Sequence, residues 1–265
     1  MSRRHFTFAC AGETLAATLD DAEGRVGLLI VTGGNEVRSG AFSGQARLAA
    51  RIAAAGYPVL RFDRRGVGDS TGSNSGFTGS APDIAAAIAA FRAQAPHIER
   101  LVAFGNCDAA SALLLAGGAG CDALVLANPW TFDSADEAPA PQAVRARYAA
   151  KLKSPREVLR LLSGDVSLAK LLNGLRRALS PSRPPSGLLG DIQAGHARFA
   201  GKTAILLAPR DRTAQAFMAA WPASKRLWQL CEGADHGFSD EASSAWLFNA
   251  LFTVLEEEAG QLDMG

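Results

Sequence analysis

The sequence predicts an α/β domain with a mostly parallel central sheet that is flanked by helices. Short apolar runs, which are typical of strands buried on both faces, alternate along the chain with helical stretches of ten or more residues. Strands separated by helices of this length pair in parallel through right-handed crossovers. With 265 residues, of which 48% are hydrophobic, the chain suits one large domain with an insertion.

Composition excludes several classes of function. The formal net charge of +1 gives no indication of nucleic-acid binding. The four cysteines are far apart in sequence and lack the spacing of a zinc site or a disulfide framework. The chain shows no hydrophobic leader and no run of about 18 apolar residues. We therefore expect a cytoplasmic protein without metal or organic cofactor and without stable membrane insertion, in a compartment that keeps thiols reduced.

The elements of the first half follow one another at short intervals. Residues 5–20 favour an antiparallel hairpin with its turn at Gly12 and Glu13. Gly56 ends a first helix, and apolar residues at the 3.6-residue period define a second. In order, we predict a hairpin over 5–20, strand 26–31, helix 45–55, strand 58–62, helix 83–95, strand 101–104, helix 109–116 and strand 123–127.

Residues 128–190 interrupt the alternation of strands and helices. They contain several helical stretches and no convincing strand, and they end in the Pro/Ser-rich segment 180–186. The pattern then resumes with strand 203–208, helix 212–220, strand 226–230 and helix 241–257. We therefore predict a core formed by residues 1–127 and 191–265, with residues 128–190 inserted as a helical cap.

Residues 101–110 combine a buried strand, a sharp turn and the start of a helix, with Cys107 in the turn. Gly105 and Ala109 flank Cys107 at a distance of two residues, which gives the nucleophile-elbow pattern G-x-Nu-x-A. Small residues are required there because the strand and the helix pack closely. A helix N-terminus also favours a thiolate. The short string alone equally fits a cysteine that is only a small buried side chain.

A cysteine nucleophile needs a base, and the base needs an orienting acid. Of the four histidines, His236 is the one that follows the last predicted strand and precedes the last helix. Asp211 lies three residues past the predicted strand 203–208 and is the candidate acid. Its position before a helix also fits a helix N-cap. The order nucleophile, acid, histidine is typical of α/β-hydrolases.

An acyl-transfer site also needs two backbone N–H donors for the oxyanion. We expect one from Asp108, the residue after the candidate nucleophile. The other is expected at Gly34 or Asn35, in the glycine turn that follows strand 26–31. An ordinary turn at a strand end would have the same composition, so only its position supports this interpretation.

The loop 63–72 fits the pattern D-x-R-G-x-G-x-S-x-G. Here the chain resembles the α/β-hydrolase superfamily, in which this loop has a mainly structural role. With Gly33-Gly34 and Arg38-Ser39-Gly40, the stretch Gly-Asn-Cys-Asp-Ala-Ala at 105–110, and Asp-His-Gly-Phe at 235–238, the chain is similar to a narrower group. That group is the first subfamily of the cysteine-elbow hydrolases associated with exosortase A and exopolysaccharide loci.

The resemblance implies an α/β-hydrolase fold and a triad of Cys107, His236 and Asp211, but no particular substrate. Most relatives carry serine as the nucleophile and His-Gly at the oxyanion turn, where this chain has Cys107 and Thr32-Gly33. We predict a hydrolase that cleaves an ester or thioester through an acyl-cysteine intermediate. The alternatives are an acyltransferase with the same triad and a non-catalytic binding protein on a hydrolase fold.

The predicted cap is basic. Between residues 140 and 190 there are ten Lys/Arg and two acidic residues, Glu157 and Asp165. For any single basic residue, a position on a solvated helix face is the simpler interpretation. The excess of basic over acidic residues in the whole segment, however, predicts that it attracts an anionic or carrier-bound acyl substrate.

Overall fold

The computed structural model describes residues 2–132 and 187–264. Within these ranges eight strands form one sheet in the order β1-β2-β4-β3-β5-β6-β7-β8. The strands are β1 (Ser2–Cys10), β2 (Glu13–Asp21), β3 (Val26–Val31), β4 (Val59–Phe62), β5 (Arg100–Asn106), β6 (Ala123–Ala127), β7 (Lys202–Leu207) and β8 (Trp228–Leu230). The α-helices are α1 (Gly44–Ala54), α2 (Ala81–Gln94), α3 (Asp108–Leu115), α4 (Gly187–Arg198), α5 (Arg212–Ala220) and α6 (Glu241–Asp263).

The sheet is mostly parallel, as predicted. β1 and β2 form an antiparallel hairpin, and β2 pairs antiparallel with β4. From β4 onward every neighbouring pair is parallel. The register pairs Val31 with Gly105 and Asn106 with Ala127, so β3, β5 and β6 end at the same edge. The loops that carry the candidate site residues leave the sheet at this edge.

Helices cover both faces of the sheet. Leu29 belongs to a buried cluster with residues of α2, α3 and α4. Leu28 and Ile30 belong to a second buried cluster with residues of α1 and α6. This alternation follows from the period of two in a strand, and it explains why the run 26–31 has no polar residue. The predicted arrangement of a parallel sheet between helices is confirmed.

Several elements differ from the predicted bounds. β8 begins only at Trp228, because Pro222–Leu227 forms a short 3₁₀ turn that begins with a proline. β5 extends to Asn106, since its ladder with β6 continues as far as the pair Asn106 and Ala127. The last helix continues to Asp263, beyond the predicted end at 257.

The predicted cap, residues 128–190, lies mostly outside the described residues. At its far end, the boundary predicted after residue 190 falls inside α4. Leu188 and Ile192 pack in the same buried cluster as α2 and α3. A side chain at Gly195 would place its Cβ 1.9 Å from the Leu114 carbonyl oxygen, so α4 lies directly against α3. Leu188, which the prediction placed in the cap, therefore packs with the core.

None of the described helices combines the length and the apolar character that crossing a bilayer requires.

Candidate active site

Cys107 lies in a strained turn between β5 and α3. Its φ of 61° and ψ of −125° are a backbone conformation that L-residues rarely adopt. The turn is fixed on both sides of the residue. The Cys107 N–H donates to the Ala127 carbonyl at 2.9 Å, and the Cys107 carbonyl accepts the Trp130 N–H at 3.2 Å. The thiol is half-buried, whereas the other three cysteines are buried.

The small residues beside Cys107 have a steric cause. A Cβ at Gly105 would lie 2.7 Å from the Ala109 carbonyl carbon, which is closer than real Cβ contacts. Ala109 itself is buried at the start of α3. The pattern G-x-C-x-A therefore reflects the close packing of the strand against the helix, as the elbow interpretation predicts.

His236 and Asp211 are hydrogen-bonded to each other. The His236 Nδ1 lies 3.0 Å from the Asp211 Oδ2, and the side chains are 41% and 12% exposed respectively. Asp211 also caps α5, because its Oδ2 accepts the Ala214 N–H at 3.0 Å. The two interpretations of Asp211 from sequence, a partner of the histidine and a helix N-cap, thus describe the same carboxylate.

The electrostatics of this pair favour a charged imidazole. The hydrogen bonds of His236 with Asp211 and then with Cys107 raise the pKa of His236 to about 10, although burial acts in the opposite direction. Burial by itself raises the pKa of Asp211, but hydrogen bonds from His236, Ala214 and Thr213 bring it below its ordinary value. The imidazole is therefore a strong base, held between a thiol and a carboxylate.

Two asparagine side chains hold the backbone of His236. The Asn106 and Asn128 amides donate to the His236 carbonyl at 3.0 and 3.1 Å. Asn128 is fully buried, and its Oδ1 accepts the Ala208 N–H at 2.9 Å. These amides join the loops of Cys107, Asp211 and His236. No sequence motif assigns this role to either asparagine. The available signal was the position of Asn106 at the end of β5 and of Asn128 directly after β6.

Asp235, which precedes the candidate base, stabilises its own loop. Its carboxylate accepts the N–H groups of Gly237 at 3.1 Å and Ser239 at 2.9 Å, together with the Ser239 hydroxyl. The ring of His236 is bonded to Asp211 and not to this neighbour.

The other histidines have partners elsewhere. His5 bonds the Thr18 hydroxyl on the outer hairpin, His97 bonds the Ala22 carbonyl, and His196 packs edge-on against Trp221.

The glycine turn after β3 lies against the elbow. The Gly34 N–H donates to the Asp108 Oδ2 at 2.8 Å, so this predicted oxyanion donor is already engaged by a carboxylate. Among residues 2–132 and 187–264, the N–H groups of Asn35 and Asp108 have no acceptor. Of the backbone donors predicted for the oxyanion, these two are the ones that a ligand could use.

The loop 63–72 is structural in character, as the resemblance implies. Asp63 is fully buried and accepts the Arg38 and Asp69 N–H groups at 2.6 and 3.0 Å. The Ser70 hydroxyl donates to the Asp63 carbonyl at 2.7 Å. Arg65 forms an ion pair with Asp83 in α2.

No grouping of His, Cys, Asp and Glu in the described ranges would hold a metal ion.

Several solved structures are similar to this chain. An esterase from Pyrococcus furiosus superposes with a TM-score of 0.64 at 12% identity, over 97% of this chain and 91% of its own. A serine hydrolase without lid from Xanthomonas campestris gives 0.58 at 17%, over 97% and 95%. A thioesterase domain from the curacin biosynthetic pathway gives 0.57 at 14%, over 95% and 100%. At these identities the likeness concerns the fold.

The sequence itself matches no curated protein. The model of the alpha/beta hydrolase family, however, matches residues 28–250, which include all the candidate site residues. The sheet order and the predicted fold agree with this match. The chain belongs to the alpha/beta hydrolase family.

Proposed function

We propose that this protein hydrolyses an ester or thioester through a triad of Cys107, His236 and Asp211. The observation that carries the proposal is the 3.0 Å contact between the His236 Nδ1 and the Asp211 Oδ2, with Cys107 near enough to His236 to help raise the pKa of the imidazole. The half-buried thiol lies on a strained elbow at the sheet edge where catalytic groups of this family are expected.

The reaction would proceed in two acyl transfers. His236 first takes the thiol proton and becomes the charged imidazole. The Cys107 Sγ then attacks the carbonyl carbon, and the carbonyl π electrons move onto the oxygen. The oxyanion is stabilised by the Asp108 and Asn35 N–H groups. When the tetrahedral intermediate collapses, the bond to the leaving group breaks and His236 returns the proton to that group. A water molecule, deprotonated by His236, then releases the acid and regenerates the thiol. Asp211 holds the imidazole orientation throughout.

The nucleophile favours oxygen and sulfur esters over amides. A thiolate leaves a tetrahedral intermediate readily, so it departs in preference to an amine. Alkoxide and thiolate leaving groups compete better than an amine with the Cys107 thiolate for departure from the intermediate. An esterase and a thioesterase domain are among the similar folds, which agrees with this class of substrate.

The acyl donor is proposed to be anionic or attached to an anionic carrier. The support is the sequence of residues 140–190, with ten basic and two acidic side chains. An electrostatic field of this kind changes the rate at which substrate and enzyme meet more than the rate of the chemical step. Values of kcat/KM for anionic substrates should then fall as salt rises above about 0.1 M, where the Debye length is about 10 Å, while kcat changes little. Equal salt effects on neutral esters would refute this part of the proposal.

We also propose that the chain belongs with the exosortase-associated cysteine hydrolases and acts in the cytoplasm. The support is the motif set around Gly33, the loop 63–72, Cys107 and His236. A reducing compartment would also keep the Cys107 thiol reduced.

A panel of p-nitrophenyl esters and acyl thioesters tests the function directly. Hydrolysis by the wild type, lost in Cys107→Ala and in His236→Ala with the fold retained, would support it. Diversion of product to added alcohol or amine acceptors would identify an acyltransferase instead. A Cys107 that iodoacetamide fails to alkylate near neutral pH, with no turnover in the panel, would favour a binding protein.

A further inference from the structure

A buried arginine lies behind the candidate oxyanion turn. Arg64 is 2% exposed, and its guanidinium donates to the Gly34 carbonyl and, at 2.7 Å, to the Ser80 hydroxyl. Its Nε has no partner among the described residues. Burying a guanidinium is costly unless hydrogen bonds and opposite charges compensate it, so the bonds to Gly34 and Ser80 stabilise Arg64 in this position. Its contact with Gly34 links it to the turn.

The turn is fixed on its other side by Asp108. The Asp108 Oδ2 accepts the Gly34 N–H at 2.8 Å. A Cβ at Gly33 would lie 2.1 Å from the Asp108 Oδ1, so the turn approaches this side chain as closely as only glycine allows. The Glu36 N–H closes the turn on the Gly33 carbonyl at 2.9 Å. Hydrogen bonds therefore fix the orientation of both peptide units that meet at Gly34, the one before it and the one after it.

This arrangement determines where the Asn35 N–H points. The C=O of Gly34 and the N–H of Asn35 belong to one trans peptide unit, and in such a unit they point in opposite directions. Arg64 holds the carbonyl toward the interior, so the N–H is directed away from it. Asn35 is exposed, and its N–H has no acceptor within the described ranges.

We infer that Arg64 is a positioning residue, which orients the Gly34–Asn35 peptide so that the Asn35 N–H, in place of the engaged Gly34 N–H, meets the oxyanion. This inference rests on the proposed acyl transfer at Cys107. Arg64 acts through the peptide and touches no reacting atom.

The test compares two reactions of the same thiol. Acylation of Cys107 by a p-nitrophenyl ester develops an oxyanion, whereas alkylation by iodoacetamide is a displacement that develops none. In Arg64→Met we expect acylation to fall by about 10- to 100-fold, less than or comparable to the loss of a whole oxyanion donor. The alkylation rate should stay within about twofold of the wild-type rate, since the thiol and its base are untouched.

Arg61→Met is the matched control. Arg61 is also 2% exposed, also has an unpartnered Nε, and also donates to a backbone carbonyl, that of Arg38, at 2.7 Å. It does not contact the oxyanion turn. Its loss should leave the ratio of acylation to alkylation unchanged. If Arg64→Met does not fold, Ser80→Ala removes an anchor of the guanidinium and should lower the same ratio by a smaller factor.

The outcomes separate this inference from the proposed function. A wild type that is alkylated but never acylated contradicts the proposed function itself. A wild type that is acylated, with an unchanged acylation-to-alkylation ratio in the Arg64 or Ser80 variant, overturns only the role of Arg64. An equal fall of both rates in Arg64→Met would also overturn it, because it would indicate a general loss of structure.

Discussion

The Nδ1 of His236 lies 3.0 Å from the Oδ2 of Asp211, across the loops that follow β8 and β7. The same carboxylate caps α5. One side chain thus orients the candidate base and stabilises a helix, and the two effects can be separated by mutation.

Asparagine and alanine at position 211 should differ in stability but not in their effect on activity. Asparagine keeps an acceptor for the Ala214 N–H, whereas alanine removes it, so Asp211→Ala should unfold about 0.5–2 kcal/mol more easily than Asp211→Asn. Both variants should lose kcat, by about 10⁴-fold for Asp211→Asn if the serine-protease template transfers. Urea unfolding and turnover of one ester measure both effects. Activity of Asp211→Asn within tenfold of the wild type would contradict the assignment.

The raised pKa of His236 predicts a pH dependence of stability. Its pKa is about 10 in the folded protein and about 6.5 when unfolded. The added stability is therefore fully present below about pH 6.5 and is lost as the pH rises through about 10. Because the side chain is 41% exposed, solvent screening reduces the effect to about 1 kcal/mol.

Urea titrations of the wild type and Asp211→Asn between pH 6 and pH 10 test this dependence. The wild type should be more stable near pH 6, and the difference should shrink toward pH 10. A difference that stays constant over this range would show that the ion pair does not form.

Backbone strain at Cys107 predicts that glycine is the more stable replacement. Glycine adopts positive φ without a Cβ clash, and strain of this kind costs about 1–3 kcal/mol in other residues. Cys107→Gly should therefore unfold at higher urea than Cys107→Ala, although both lack the thiol. If alanine proves as stable as glycine, the elbow is not strained in solution.

Close packing at the elbow predicts a cost for any side chain at Gly105. Gly105→Ala would drive a methyl group into the backbone of Ala109 and should destabilise by about 1–3 kcal/mol. Gly44→Ala is the control, since Gly44 has helical φ and ψ with open space around it. That change should be neutral or stabilising by up to about 1 kcal/mol. Equal thermal midpoints for the two variants would contradict the packing argument.

The fold could be predicted from the sequence, and so could the position of Cys107, Asp211 and His236 at one edge of the sheet. The carboxyl ends of parallel strands lie at a common edge, so residues in the loops that follow β5, β7 and β8 converge there. The apolar run 26–31 and the small residues on either side of Cys107 can be recognised from the local sequence pattern alone.

Contacts that depend on loop paths could not be predicted in the same way. The amides of Asn106 and Asn128 meet the His236 carbonyl because three loops fold over one another, and no spacing in the sequence encodes that. The hydrogen bond from the Gly34 N–H to the Asp108 carboxylate joins two turns 74 positions apart. The late start of β8 likewise depends on how the residues after Pro222 pack.

The most direct test of the account is the mass of the Cys107 peptide after rapid mixing with a p-nitrophenyl ester and an acid quench. We expect an acyl adduct on Cys107 that forms at the rate of p-nitrophenol release and decays with turnover. The adduct should be absent in His236→Ala on the same timescale. Turnover without any adduct on Cys107, or undiminished turnover in Cys107→Ala, would contradict the cysteine mechanism.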